Sequence, residues 1–280
     1  MTIREIVVQG IHSTRACTSL WVFGFVVGAA SASSNGGGKG NEAGAGAAGL
    51  AFVALRDLPW AAIAAAAAVL VIGAVILRFV SEGALIEGVV RSRQGGSMTT
   101  REGLRAGWAH WGVLLRIALL YFAATVGSLV ALAVPCVLLA KFAGVVAAVA
   151  YAIPALLVAV PWLVTIYLVQ AFASRIAVLE DRHALDAIAK ARLFLHGRLA
   201  HALKVIVASF IGTMAIAAAS VVAVLPIVVM VVAFVPLLGI IPVAIAAVLW
   251  IVPVGCVLTA MLGTFQSSVW TIGYVSEAAA

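Results

Sequence analysis

Charge is what this sequence has least of. Of its 280 residues only 10% are Asp, Glu, Lys or Arg, while 65% are hydrophobic; soluble domains run at roughly one-quarter charged and half apolar. A chain so poor in charge has no water-facing surface to cover its apolar side chains, which excludes a water-soluble fold. Cysteine is nearly absent. Cys17, Cys136 and Cys256 are scattered, with no CxxC pair and no histidine beside them, so neither a disulfide framework nor a zinc cage is written into the chain. They read as small apolar fillers.

Acids are scarcer than bases, 10 against 17, and none falls in the middle of a long apolar run. That removes the usual equipment of an ion-coupled pump, which needs ionisable groups at mid-depth. His12, His110 and His183 stand alone in basic segments, and His196 and His201 are five apart, missing the four-residue spacing that puts two metal ligands on one helical face. The chain shows no nucleophile with a base, no paired carboxylates and no metal set. The expectation is a protein without catalytic activity and without a cofactor.

What the sequence does have is a succession of long apolar runs, with a mean hydropathy of +1.22. They predict an all-α, polytopic membrane helical bundle of about six transmembrane helices. Residues 1–16 carry Ile3, Ile6, Val7 and Ile11 at helical spacing among Arg4, Glu5, His12 and Arg15, the pattern of a short surface helix. The first span is expected at about 17–33. Its run LWVFGFVVGAA, with Arg4 and Arg15 ahead and Ala30-Ser31-Ala32 behind, has the form of a secretory signal and is read as a retained anchor. Gly24 and Gly28 suit close packing against a neighbour.

A Gly-rich loop, 34–58, precedes a second span that opens at Pro59-Trp60 and runs to about 80, continuing as a helix through SEGALIEGVVRSR to Gly95-Gly96. Thr99 and Glu102 have the capping-box spacing, so a fresh helix starts there and becomes the third span at about 112–134. Pro135 is expected to halt it. A turn or partial re-entry is placed at 135–145 and a fourth, Pro-kinked span at about 146–178. The polar stretch 181–204 should be one amphipathic surface helix. Spans at about 205–232 and 244–272 complete the set, separated by a Pro-rich turn containing Pro226, Pro236 and Pro242.

Topology follows from the placement of positive charge. With both termini cytoplasmic, every one of the 17 basic residues except Lys39, Arg56 and Lys141 falls inside or at the inner interface, the bias that sets orientation in membranes. Localisation in a bacterial inner membrane is expected.

The chain also resembles itself. Gly107 to Pro135 and Gly197 to Pro226 each lead from a charged, His-bearing turn through an apolar span. FVSEGA at 79–84 matches YVSEAA at 274–279, and Pro59-Trp60 echoes Pro161-Trp162. The acids Glu82, Glu180 and Glu277 close the three returning arms at spacings of 98 and 97 residues. A single membrane domain, 1–280, built as three repeated hairpins is therefore expected, with hairpin 1 at about 1–96, hairpin 2 at about 97–180 and hairpin 3 at about 181–280.

Three groups of residues are candidates for function. Arg101, Arg105, Arg182, Lys190, Arg192 and Arg198 lie on the amphipathic cytoplasmic segments and would face anionic lipid headgroups or a protein partner; their alternative role is orientation alone. Glu82, Glu180 and Glu277 sit near Arg78, Arg175 and Arg182 in the sequence, suited to ion pairs at the interface. Gln170 and Gln266, at matching points of two returning arms, could line a cavity opened by the Pro kinks. Nothing in the charge pattern points to nucleic acid.

The run RACTSLWVFG, the loop GVVRSRQGGSMTTREGLRAGWAHWGVLL and the sequence RIAVLEDRHALDAIAKARLFLHGRL together resemble the six-span bacterial membrane proteins grouped around the glycerophosphoryl diester phosphodiesterase membrane domain and its YciC-like relatives. The resemblance covers nearly the whole chain. It rests on topology and charge, and the long Gly-rich first loop departs from it. It implies a membrane module without the hydrolytic domain, acting as an accessory, scaffold or lipid-interacting subunit of a membrane assembly. The alternative is a transporter or channel for a small or amphiphilic solute, moving on its Pro-kinked returning helices.

Overall fold

In a bilayer no water is available to satisfy a free amide or carbonyl, so an apolar chain closes its backbone bonds within helices. The computed structural model, which describes residues 3–16, 20–35, 60–96 and 98–278, follows that rule: among the described residues there are eight helices and no strand. They are α1 (Ile3–Ala16), α2 (Leu20–Asn35), α3 (Trp60–Arg93), α4 (Thr100–Phe142), α5 (Val145–Leu179), α6 (Ala184–Leu195), α7 (Leu199–Leu238) and α8 (Ile240–Ala278). Most of the Gly-rich loop expected at 34–58 lies outside the described residues.

Five of these helices, α3, α4, α5, α7 and α8, are long and apolar enough to cross a membrane, which makes this a multi-pass integral membrane protein. The span expected at 17–33 is the exception. There α2 has 16 residues, fewer than the ~20 that a hydrocarbon core requires, and residues 17–19 of the expected span lie outside the described residues.

Several boundaries differ from the sequence reading, for one reason. Pro135 does not end the third span; it lies inside α4, which continues to Phe142. The fifth span likewise runs past Pro226 to Leu238, and α8 begins at Ile240 with Pro242 in its first turn. Proline removes one intrahelical bond, whereas leaving the helix in an apolar medium would expose several polar groups at once. The turns occur instead at glycines in the left-handed region, Gly144 (φ 87°) and Gly239 (φ 81°), where a side chain would be strained. The segment 135–145 is thus a helix end and a tight turn. The surface stretch 181–204 is not one helix either: it breaks after Leu195 at Gly197 (φ 109°).

The capping box is formed. Glu102 Oε2 accepts from the Thr99 amide at 3.0 Å and the Glu102 amide donates to Thr99 Oγ1 at 3.4 Å, while Arg91 pairs with Glu87 at 3.4 Å and approaches Glu102 at 3.8 Å.

The chain divides into two compact units. The first comprises 1–109 and 205–272. Its core gathers Ala84 and Leu85 of α3 around Leu20, Phe23 and Met98. Gly24 and Gly28 of α2 meet α8 backbone to backbone: a Cβ on Gly24 would collide with the Ala260 carbonyl and Thr264, and one on Gly28 with the Thr259 carbonyl. This is the small-residue, four-apart packing that lets membrane helices approach closely. The second unit comprises 110–204 and 273–280. Its buried centre is the C-terminal end of α5, Ala171–Val178, and it holds the candidate site.

Candidate functional site

The site begins where α5 ends. Glu180 is the C-cap, its amide bonded to the Ile176 carbonyl at 3.0 Å. Asp181 takes a left-handed φ of 49°, a conformation Asp tolerates, and turns the chain into α6. Glu180 then collects three donors: Lys190 Nζ at 2.6 Å to Oε2 and 2.7 Å to Oε1, Arg182 Nε at 3.0 Å, and the Tyr274 hydroxyl at 2.6 Å. Burial pushes this carboxyl up, but the bonds from Lys190, Tyr274 and Arg182 outweigh it and hold it below the ordinary carboxylate range.

A second acid holds the other end of the segment. Glu277 faces His201 Nδ1 at 3.3 Å and Arg198 Nε at 3.7 Å, and Arg198 Nη1 donates to the Glu277 carbonyl at 3.0 Å. The opposite ring nitrogen of His201, Nε2, lies 3.0 Å from the Gly273 carbonyl. Phe194 of α6 packs its ring, tilted, against those of Phe172 and Tyr274 at 5.3 and 5.4 Å between centroids, with the Arg198 guanidinium 5.3 Å above Phe194. His110 approaches Asp181 at 3.6 Å. The amphipathic helix is thereby pinned at both ends and along its underside.

Against this pinned helix lies an open groove of about 440 Å³. Tyr121 and Ala124 of α4 and Trp162 and Ile166 of α5 form its apolar walls, and Arg192 and His196 form its polar rim. Tyr121 is 6% exposed, and its hydroxyl has no hydrogen-bond partner among the described residues; a buried hydroxyl left so costs about 1–3 kcal/mol. A second apolar cavity of about 230 Å³ continues along the same seam between α4 and α5, sharing Trp162 and reaching Leu132 and Val158. Trp162 is fixed at the junction by its indole, which donates to Ser128 Oγ at 3.0 Å.

The residues singled out in the sequence separate into distinct situations. Arg182, Lys190 and Arg198 are tied to Glu180 or Glu277, while Arg192, exposed, forms no ion pair among the described residues. Glu180 and Glu277 are ion-paired, with these partners. Arg175 is buried, its Nη1 donating to the Ala171 carbonyl at 2.7 Å. Glu82 is half-buried and Arg78 exposed in the other unit, where Arg101 and Arg105 are also exposed. Gln170 and Gln266 belong to different units, and Gln266 Nε2 approaches Thr213 Oγ1 at 3.4 Å.

Sequence reasoning missed Tyr121, Trp162, Phe194 and Tyr274. Tyr274 is 94 residues from Glu180, and no local pattern joins them. Trp162 carried a signal in its repeat position after Pro161, but nothing in the order of residues pointed it at Ser128. Among the described residues no group of three or more His, Cys, Asp or Glu side chains is placed to hold a metal. No family model, curated protein or solved structure matches this chain.

Proposed function

We propose that this multi-pass protein is a non-catalytic, lipid-interacting accessory or scaffold component of a bacterial inner membrane, with both termini in the cytoplasm. The reading is carried by one observation: the segment around α6 is held by Glu180 and Glu277 through Arg182, Lys190 and Arg198, and it still presents Arg192 of α6 and the flanking Arg182 and Arg198 at the protein surface. A basic, amphipathic segment so held has the chemistry to gather anionic headgroups or an acidic partner face. The distribution of basic residues supports the orientation.

Two further points belong to the same proposal. The repeat of hairpins is supported by the turn glycines Gly144 and Gly239, both with positive φ, at the tips of the second and third hairpins. The likeness to the glycerophosphodiesterase membrane-domain group is supported by returning spans that end in an acid followed by basic residues.

The test is gentle solubilisation followed by native mass spectrometry. Anionic phospholipid retained well above its share of the membrane, or a stoichiometric protein partner, is the expected result. A bare chain carrying lipids in bulk proportion would overturn the reading.

A further inference from the structure

The pinned helix leaves one cation over. Between Arg182 and Arg198 the chain has four basic residues outside the histidines; three are neutralised by Glu180 and Glu277, and the fourth, Arg192, stands at the groove. The same groove has a buried tyrosine, Tyr121, whose hydroxyl lacks a partner. Two independent observations among the described residues, a guanidinium without an ion pair and a hydroxyl without a hydrogen-bond partner, thus fall together at the end of the groove where His196 also lies.

The other end has the opposite character. On α4 the lining residues Tyr121, Ala124, Ser128 and Leu132 follow one face of the helix, and on α5 Ile166, Trp162 and Val158 run back along them. From Tyr121 to Leu132 the seam rises roughly 16 Å at 1.5 Å per residue. It is narrow, apolar and open on one side. A soluble anion would satisfy the rim and leave this wall empty, and a neutral hydrocarbon would fill the wall and leave Arg192 uncompensated. An amphiphile with an anionic head and an acyl chain satisfies both.

We propose that the α4–α5–α6 groove is a binding site for one acyl chain of an anionic phospholipid. Arg192 and Tyr121 meet the phosphate, and the chain lies along the seam past Trp162. The guanidinium provides a charge-assisted, two-pronged contact to phosphate oxygens. The Tyr121 hydroxyl donates to the same group once the ring shifts toward the bound head. Trp162, locked to Ser128, forms the wall at which the groove passes into the purely apolar cavity. This inference rests on the lipid-interacting reading and narrows it to one locus.

The full-length protein is purified in detergent and titrated with phosphatidylglycerol, phosphatidylcholine or soluble glycerol phosphate, with native mass spectrometry as the readout. Wild type should bind phosphatidylglycerol at one site and phosphatidylcholine at least several-fold more weakly. R192Q should lose roughly tenfold in phosphatidylglycerol affinity, the scale of one charge-assisted contact. Y121F should lose less, and R93Q, an exposed cation at the end of α3, should lose nothing at that site. Equal loss in R192Q and R93Q, with lipid selection intact, would overturn the groove while leaving the broader reading standing. Absence of any anionic preference would overturn both. Glycerol phosphate that saturates the site as tightly as the lipid would assign it to a free phosphate ester and refute the acyl chain.

A second measurement does not depend on a charge variant. Phosphatidylglycerol brominated along its chains should quench part of the tryptophan fluorescence, and W162F should abolish that part. Quenching unchanged by W162F would remove the chain from the seam. Circular dichroism and size exclusion confirm that each variant is folded.

Discussion

The two halves of α5 are both largely apolar and have opposite fates. In the outer half Ile153, Leu156, Leu157 and Val158 are 60–71% exposed; in the inner half Phe172, Ala173 and Ile176 are fully buried, and so nearly are Ser174 and the charged Arg175. The more polar half is the interior. In water such a distribution would be inverted, since burial follows apolarity. In a bilayer the surrounding chains are as apolar as leucine, so packing is decided by shape, small residues and polar groups seeking partners. The Ser174 hydroxyl donates to the Gln170 carbonyl and Arg175 to that of Ala171, while the aliphatic outer half has nothing to gain by leaving lipid. The contrast also separates the chemistry: the acid-clamped helix stands beside the buried half, and the groove opens where α5 passes into its exposed half.

The contrast can be broken or sharpened by substitution, beginning where backbones touch. Gly24→Leu in α2 forces a side chain into the Ala260 carbonyl, and should lower resistance to unfolding in mixed micelles by about 3 kcal/mol. Phe172→Ala, at the buried end of α5, removes a ring packed on Phe194 and leaves a cavity. The expected loss is about 2 kcal/mol, smaller than in a soluble core because the unfolded chain also sits in lipid.

Glu180→Gln comes next, at about 1 kcal/mol, because Lys190 and Arg182 are both partly exposed. Its pH dependence is the sharper signature. The folded carboxyl lies below its ordinary value of 4.5, so its contribution is complete above the unfolded value and is lost as pH falls through the folded one. The gap between wild type and E180Q in a thermal melt should therefore be full at pH 6 and close in acid; a constant gap would show that the carboxylate charge is not what stabilises the clamp. Leu157→Ala, on the exposed half of α5 at 71% exposure, should change stability by less than about 0.5 kcal/mol. A loss as large as that of Phe172→Ala would show that this half is packed against protein.

The fold was legible where the signal was local. Thr99 and Glu102 announced a helix start by their spacing, and the capping box is formed. Gly24 and Gly28 announced a close helix crossing, and α2 meets α8 there. Legibility failed at Pro135 and Pro226, because proline ends helices in water, where an unpaired backbone group finds a solvent partner, and not in an apolar medium. Gly144 and Gly239 carry the turns, and an isolated glycine in an apolar run gives no comparable warning. The site was legible only in part. Basic residues from Arg182 to Arg198 stand out in the sequence, but which of them are paired depends on Lys190 folding back to Glu180 and on Glu277 arriving from 79 residues beyond Arg198.

Composition alone determined the solvent and hence the architecture: with so little charge the chain enters lipid, and in lipid the backbone must become helices of spanning length. Tertiary structure alone decided which apolar residues are interior, which cation is left over and where a groove opens. Those choices depend on contacts between residues tens of positions apart, and in a medium that rewards no side chain for being hydrophobic, the order of residues along one helix does not encode them.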